Sequence, residues 1–136
     1  VGRTEENYRI RAGLESLGAS LAAERITEEE MAHLEAINGR LKELKGSGGE
    51  RQSLNADFHF QIYVAARSPS LLALLRLLWR AFPGGPQALR PPEESWNQHE
   101  DLLEALRIMA AERAWSTAAR GSDRPAAPSE SMYLRM

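Results

Sequence analysis

The segment TEEEMAHLEAINGRLKEL, residues 27–44, is the clearest indication of fold class because it carries a helix start and a helix face in one stretch. Thr27 and Glu30 have the spacing of a capping box, in which each side chain accepts a hydrogen bond from the other residue's backbone. Apolar residues then recur every three or four positions, as one face of an α-helix requires. They are Met31, Leu34, Ile37, Leu41 and Leu44. The segment predicts an amphipathic helix that ends at Gly46.

Helical spacing also dominates on both sides of this segment, and strand alternation is nearly absent. In the first helix, which should end near Arg25, one face carries Ile10, Leu14, Leu17 and Leu21. Four further helices are predicted over residues 50–66, 70–82, 93–109 and 111–120. Short connections between successive helices favour antiparallel neighbours. The sequence therefore predicts an all-α fold, an antiparallel bundle of about six helices.

Length and composition limit the class of protein. The chain has 136 residues, which suits a single domain over residues 1–136. Its net charge of −2 argues against a stand-alone nucleic-acid binder, which normally has a basic excess. The lack of cysteine excludes disulfides and thiol catalysis. The longest apolar run, residues 71–79, is far shorter than the roughly 20 residues of a membrane span, so we expect a cytoplasmic domain.

Two of the three histidines are the best candidates for a site. Asn55 and His59 are four residues apart, so they share a face of the third helix. His99 lies at the start of the fifth helix, on a mostly inward face. Two imidazoles and a carboxamide oxygen that reach one cavity would suit a divalent ion such as zinc or nickel. Alternatively, each histidine is a hydrogen-bonded core residue, and the two need not meet.

Arg11 and Glu15 form another pair one helical turn apart, beside the apolar stripe of the first helix. One interpretation is a surface ion pair, which would contribute roughly 1 kcal/mol or less. The other is that Arg11 enters the bundle and holds an anionic ligand through its planar guanidinium. Spacing alone favours the surface pair.

Other motifs give little support to catalysis. Glu30 and His33 form an ExxH string of the kind found in di-iron bundles, but residues 50–110 contain no second such string. We therefore expect His33 to face solvent. The sequence has no nucleophile elbow, and the glycine-rich stretch 46–49 lacks the lysine of a phosphate-binding loop. We expect no enzyme activity.

Five segments in order resemble the C-terminal effector-binding domain, of FCD type, of FadR-subfamily GntR bacterial transcriptional regulators. They are YRIRAGLE (8–15), LAAERITEEE (21–30), LNADFH (54–59), SPSLLALLRLLW (68–79) and HEDLLEAL (99–106). The resemblance implies a helical bundle around a small-molecule cavity, often with a divalent metal at its floor. It also implies an N-terminal winged helix-turn-helix that binds DNA. Only seven residues precede Tyr8, so we expect that DNA-binding domain to be absent from this chain.

The resemblance also assigns metal ligands. An Asp or Asn four residues before a histidine in the metal-binding relatives corresponds to Asn55 and His59, and a further histidine corresponds to His99. The family's last histidine falls on Gly121, which has no side chain to coordinate, so a metal would have at most three protein ligands. Either a weaker zinc or nickel site persists, or the cavity binds its effector directly with polar side chains. Those side chains would be Arg11, Asn55, His59 and His99.

The function that the resemblance implies is effector sensing without catalysis. A small metabolite, most often a carboxylate or sugar acid, would bind inside the bundle of a homodimer and shift the attached DNA-binding domains. Such a shift requires that the effector bind two arrangements of the dimer with different affinities. Two rivals remain. A small metal-dependent enzyme would use His59 and His99, and a helical dimerisation module without ligand would use the leucine-dense fourth helix.

Overall fold

A computed structural model describes residues 3–44, 48–81 and 92–120. Within these ranges the chain forms five α-helices and no strand. They are α1 (Arg3–Arg25), α2 (Glu28–Glu43), α3 (Gly49–Ala65), α4 (Pro69–Ala81) and α5 (Pro92–Ala119). The all-α prediction is confirmed, although α2 ends three residues before the expected Gly46. None of the described helices combines the length and the apolar content that a membrane span requires.

The predicted fifth and sixth helices are a single helix, so the break expected between them is wrong. α5 continues without interruption from Pro92 to Ala119. The residues at the expected break are Met109, Ala110 and Ala111, and alanine has the highest helix propensity of all residues. A break would need a glycine, a proline or a capping side chain, and this position offers none. The expected count of about six therefore becomes five over the described residues.

The predicted helix starts carry the expected caps. The backbone N–H of Glu30 donates to Oγ1 of Thr27 at 3.1 Å, and the backbone N–H of Thr27 donates to Oε1 of Glu30 at 3.1 Å. This capping box satisfies N–H groups that have no partner within the helix. At the start of α4, Ser68 Oγ accepts a longer bond of 3.4 Å from the backbone N–H of Leu71. Pro69 is the first helical residue there, one position before the predicted start, and its fixed φ suits that position.

The helices share one apolar core. α1 packs against α3, α4 and α5, while α2 packs against α3 and α5, and α3 against α4. Four of the five residues predicted for the inner face of α2 are buried in this core, namely Met31, Leu34, Ile37 and Leu41. The same face carries one polar side chain, Asn38, which is only 1% exposed. A polar group buried that deeply needs hydrogen-bond partners.

α1 presents only part of the predicted face to the core, because Leu14 and Leu21 pack against it while the other two residues do not. Ile10 and Leu17 are 48% and 50% exposed, whereas Arg11 and Gly18 are buried. At Gly18 α3 approaches so closely that an added Cβ would lie 3.0 Å from Cδ1 of Tyr63. The buried face of α1 is therefore built on small residues and one arginine. Apolar spacing shows which residues share a face, but it does not show which face has a neighbour.

Arginines from elsewhere in the chain cap the carboxyl end of α1. Arg113 of α5 donates to the carbonyl oxygen of Ala23 at 2.9 Å and to that of Ile26 at 2.7 Å. Arg67, between α3 and α4, donates to the carbonyl oxygen of Arg25 at 3.0 Å. The last carbonyls of a helix lack partners within it, and the helix dipole favours a cation there. These bonds tie α5 and the α3–α4 connection to the end of α1.

We expect Arg113→Gln to destabilise the fold because it removes charge-assisted bonds to two helix-end carbonyls. The loss in the free energy of unfolding should be about 1–3 kcal/mol. Urea unfolding followed by far-UV circular dichroism measures it. The matched control is Arg80→Gln on an exposed position of α4, where the change should stay below about 0.5 kcal/mol. Equal losses in both variants would contradict the capping role.

Candidate functional site

The imidazoles of His59 on α3 and His99 on α5 lie side by side. Their ring centroids are 5.1 Å apart and their planes meet at 76°. His99 is 2% exposed, and the ring of Phe58 stacks on it with the centroids 3.9 Å apart. His59 is half-buried. The structure therefore brings together the two histidines that the sequence singled out, and His99 is also the hydrogen-bonded core residue of the alternative interpretation.

A buried relay of hydrogen bonds sets the tautomer of His99. Nδ2 of Asn38 donates to Oε1 of Glu100 at 2.8 Å, so the carbonyl oxygen of Asn38 is left to face His99. Nδ1 of His99 lies 3.2 Å from that oxygen, Oδ1, and must therefore carry the proton. Nε2 of the neutral ring keeps its lone pair. Lys42 also bonds to Glu100 and holds its carboxylate in place.

Both imidazoles are uncharged at neutral pH. Burial and, to a smaller extent, the positive charge of Arg11 lower the pKa of His59 to about 4. Burial lowers the pKa of His99 to about 3, and the nearby His59 and Arg51 act in the same direction, while Glu100 opposes them. A neutral imidazole offers one N–H donor and one lone pair. The pair can therefore accept a hydrogen bond at pH 7.

A second polar cluster lies beside His59 and joins α1 to α4. Nε of Arg11 donates to Oε1 of Glu15 at 2.7 Å, and Nε1 of Trp79 donates to the same oxygen at 2.8 Å. The guanidinium carbon of Arg11 lies 3.8 Å from the ring centroid of Trp79, the geometry of a cation–π contact. Arg11 is only 4% exposed. The predicted pair of Arg11 with Glu15 therefore forms, but its expected place at the surface is wrong, because Arg11 enters the bundle.

A pocket of about 250 Å³, partly open to solvent, lies against both clusters. Its polar wall includes Glu15, His59 and the hydroxyl-bearing Tyr63, and the remainder is small or apolar: Ala12, Ser16, Ala19, Ile62 and Leu102. Burial raises the pKa of the Tyr63 hydroxyl, and its interaction with the Glu15 carboxylate acts in the same direction, so the hydroxyl stays protonated. With roughly 30 Å³ for each water-sized unit, the pocket suits a ligand of about eight non-hydrogen atoms.

The four predicted site residues are placed unequally around this pocket. Of these four residues, His59 lines the described pocket wall. Arg11 is hydrogen-bonded to Glu15, which also lines it. His99 contacts His59 but is not part of the described pocket wall. Asn55 is half-buried one turn before His59 and is not part of that wall either. The small-molecule cavity that the family resemblance implies stays a prediction.

A divalent metal would find an incomplete donor set here. The predicted ligands comprise two neutral imidazoles and the uncharged amide of Asn55. Within residues 3–44, 48–81 and 92–120, no group of three or more His, Cys, Asp or Glu side chains is arranged to hold a metal ion. Gly121, the position of the family's last histidine, lies outside the described residues. Structural zinc sites have four protein ligands, whereas this set offers at most three, all uncharged, so these residues do not fit such a site and the presence of a metal stays a prediction.

Sequence reasoning missed three residues that organise the site. Asn38 holds His99, and its place four residues after Leu34 on an apolar face was a usable signal of burial. Tyr63 lies one turn after His59, on the same face of α3. Trp79 was counted only as an apolar residue of the fourth helix, because nothing local indicates that its indole N–H reaches Glu15 across the bundle.

Comparisons with known proteins agree with this architecture. The model of the FCD domain family matches residues 6–120. HTH-type transcriptional regulator McbR of Escherichia coli (strain K12) is 31% identical over 111 residues, which cover 76% of this chain and 50% of that protein. The chain thus spans about half the length of this curated relative. It has no significant match among solved structures.

The two depressed histidine pKa values predict that stability falls as the pH decreases from 7 to 5. The unfolded chain takes up protons near pH 6.5, whereas the folded chain does so only near pH 4 and below, so acid favours unfolding. We expect a loss of about 1–2 kcal/mol per histidine in the free energy of unfolding. Urea titrations at the two pH values measure this loss.

The variant His99→Gln should remove about half of this pH dependence, because glutamine does not titrate. His33→Gln, on an exposed position of α2, is the matched control and should leave the pH dependence unchanged. A pH dependence that is the same in His99→Gln and the unmodified chain would contradict the neutral, buried imidazole.

Proposed function

Because this chain belongs to the FCD domain family, we propose that it is the effector-sensing domain of a bacterial transcriptional regulator. The family match and the relative confirm the resemblance found in the sequence. The observation that carries the proposal is the pocket of about 250 Å³ whose apolar wall presents Glu15, His59 and Tyr63. Sites of this kind bind small molecules through apolar contact and use a few polar groups for orientation. The proposed role involves no catalysis.

A small carboxylate metabolite is the proposed class of effector. Arg11 and Trp79 donate to Glu15, which lines the pocket, and Tyr63 lines the pocket beside Glu15. Neutral His59 would donate to, or accept from, a hydroxyl or keto group of the same molecule. A hydroxy or keto acid of about eight non-hydrogen atoms would satisfy both sides of a pocket of this volume.

A metal-assisted form of this proposal has Asn55, His59 and His99 as ligands for zinc or nickel. The arrangement of His99 supports it, because histidines that bind metals commonly donate their other N–H to a carbonyl or carboxylate. The small number of available ligands, all of them uncharged, argues against the metal-assisted form. Elemental analysis of protein purified without a histidine tag or chelator separates the two forms.

We propose that the sensing domain acts together with a DNA-binding domain in a cytoplasmic homodimer. The matched region covers half of a relative that is itself named as a helix-turn-helix regulator. Homodimer formation is supported by large apolar side chains that are about half exposed or more on α1 and α4, which pack together. They are Ile10, Leu17, Leu74 and Leu77. A second copy of the chain that packs on α1 and α4 would remove these side chains from water.

The sensor proposal predicts that a carboxylate metabolite raises the melting temperature of the chain. Any ligand that binds only the folded state stabilises it by mass action. A thermal-shift screen of hydroxy and keto acids measures the effect. His59→Phe, which keeps the ring but removes both nitrogens, should abolish the response, whereas the surface variant His33→Gln should keep it. A screen without any active compound, or an equal response in His59→Phe, would contradict the proposal.

The dimer proposal predicts that Leu77→Glu converts the protein from the mass of two chains to the mass of one. Leu77 is 62% exposed on α4, and a buried unpaired carboxylate would oppose association. Sedimentation velocity measures the mass. Val64→Glu places the same charge on an exposed apolar position of α3 and should leave the dimer intact. A monomeric unmodified chain would refute the proposal.

A further inference from the structure

The carboxylate of Glu15 lies among donors that suit a carboxylate in general. Nε of Arg11 and Nε1 of Trp79 donate to its Oε1 at 2.7 and 2.8 Å, and Tyr63 lines the pocket beside it, where the hydroxyl interacts with the carboxylate. These donors come from three different helices, α1, α4 and α3. Carboxylates accept several hydrogen bonds, and those from a guanidinium are the strongest. The three donors therefore form an anion-recognition group built by the tertiary fold.

The charges of this group are balanced, and the group is largely shielded from water. The side chain of Arg11 is 5% exposed and that of Glu15 is 20% exposed. His59, next to the group, is uncharged at neutral pH because its pKa is about 4. A carboxylate that enters the pocket therefore meets a positive charge that Glu15 already balances. It gains a full charge-assisted contact only if Glu15 leaves.

Glu15 is placed so that it can leave. Glu15 forms part of the pocket wall together with Tyr63 and His59. Its side chain therefore lies between the pocket and the donors of Arg11 and Trp79. Part of its side chain also contacts solvent, which provides a route outward for the carboxylate. Arg11, by contrast, is held under the ring of Trp79 and stays in the bundle.

We infer that Glu15 occupies a carboxylate-binding subsite formed by Arg11, Trp79 and Tyr63, and that a carboxylate ligand binds by taking its place. The exchange breaks the bond from Trp79 to Glu15, which connects α4 to α1, so ligand binding is coupled to the contact between these helices. The apparent affinity of the ligand is reduced by the fraction of molecules in which Glu15 holds the site. The regulatory meaning of the exchange rests on the proposed function, but the subsite itself does not.

Acetate is the direct probe, because Glu15→Ala removes a carboxylate and acetate returns one. We expect sodium acetate to raise the melting temperature of Glu15→Ala saturably, by about 2–5 °C relative to sodium chloride of equal ionic strength. Acetamide, the uncharged isostere, should have no such effect. The unmodified chain should respond far less than Glu15→Ala. Glu24→Ala, which removes an exposed carboxylate from the same helix, is the matched control and should not respond.

Two further variants keep the test informative if Glu15→Ala folds poorly. Glu15→Gln keeps the volume of the side chain, but its amide group binds the donors less well than a carboxylate does, so it should bind acetate at least tenfold more tightly than the unmodified chain. Trp79→Phe keeps the ring and removes the N–H, so adding it to either Glu15 variant should weaken acetate binding.

Equal effects of acetate and acetamide, a response in Glu24→Ala, or no acetate binding in either Glu15 variant would overturn the inference. The experiment is independent of the metabolite screen. Acetate can bind to Glu15→Ala even if no metabolite stabilises the unmodified chain, and a neutral metabolite can stabilise that chain even if acetate fails.

Discussion

The burial of one positive charge, on Arg11, determines how the site of this protein is arranged. A guanidinium removed from water costs several kcal/mol unless it is paired and hydrogen-bonded. Glu15, one turn further along α1, supplies the carboxylate, and the Trp79 ring of α4 covers the guanidinium. Because Trp79 also donates to Glu15, the pair cannot form fully unless α4 packs on α1. Burial is the main reason that the pKa of the neighbouring His59 is low, and the charge of Arg11 lowers that pKa further.

A second set of buried polar groups fixes the position of α2 against α5, as the contacts of Arg11 fix the position of α1 against α4. The amide of Asn38 donates to Glu100 and accepts from His99, so each atom of the amide has a different partner on α5. Shifting either helix along the other would leave a buried donor or acceptor without a partner, at a cost of about 1–3 kcal/mol. The two clusters meet at the contact between His59 and His99. The pocket is thus held by polar contacts whose geometry is specific, within a core that is otherwise apolar.

Those features that depend on neighbouring residues in the chain were predictable from the sequence, and those that depend on tertiary packing were not. The cap at Thr27 and the buried face of α2 follow from local spacing, and both are correct. The inner face of α1 was predicted only in part: Leu14 and Leu21 pack against the core, but the close approach of α3 occurs at Gly18, which carries no apolar side chain. His59 and His99 could be singled out as polar residues on inward faces. Nothing in the sequence around Trp79 indicates its bond to Glu15, because its partner is far away in the chain.

The chemistry of the pocket limits how a ligand would act on the fold. Two neutral imidazoles and one balanced ion pair leave the site without net charge. An added carboxylate would be an unpaired charge in a partly buried site, which is unfavourable. A carboxylate that replaces Glu15 leaves the count of charges unchanged, because Glu15 moves towards water as the ligand moves in. The exchange can shift a population only to the extent that the ligand binds more tightly to the arrangement in which Glu15 has left the subsite. The buried pair would then serve both to hold α1 against α4 and to release it.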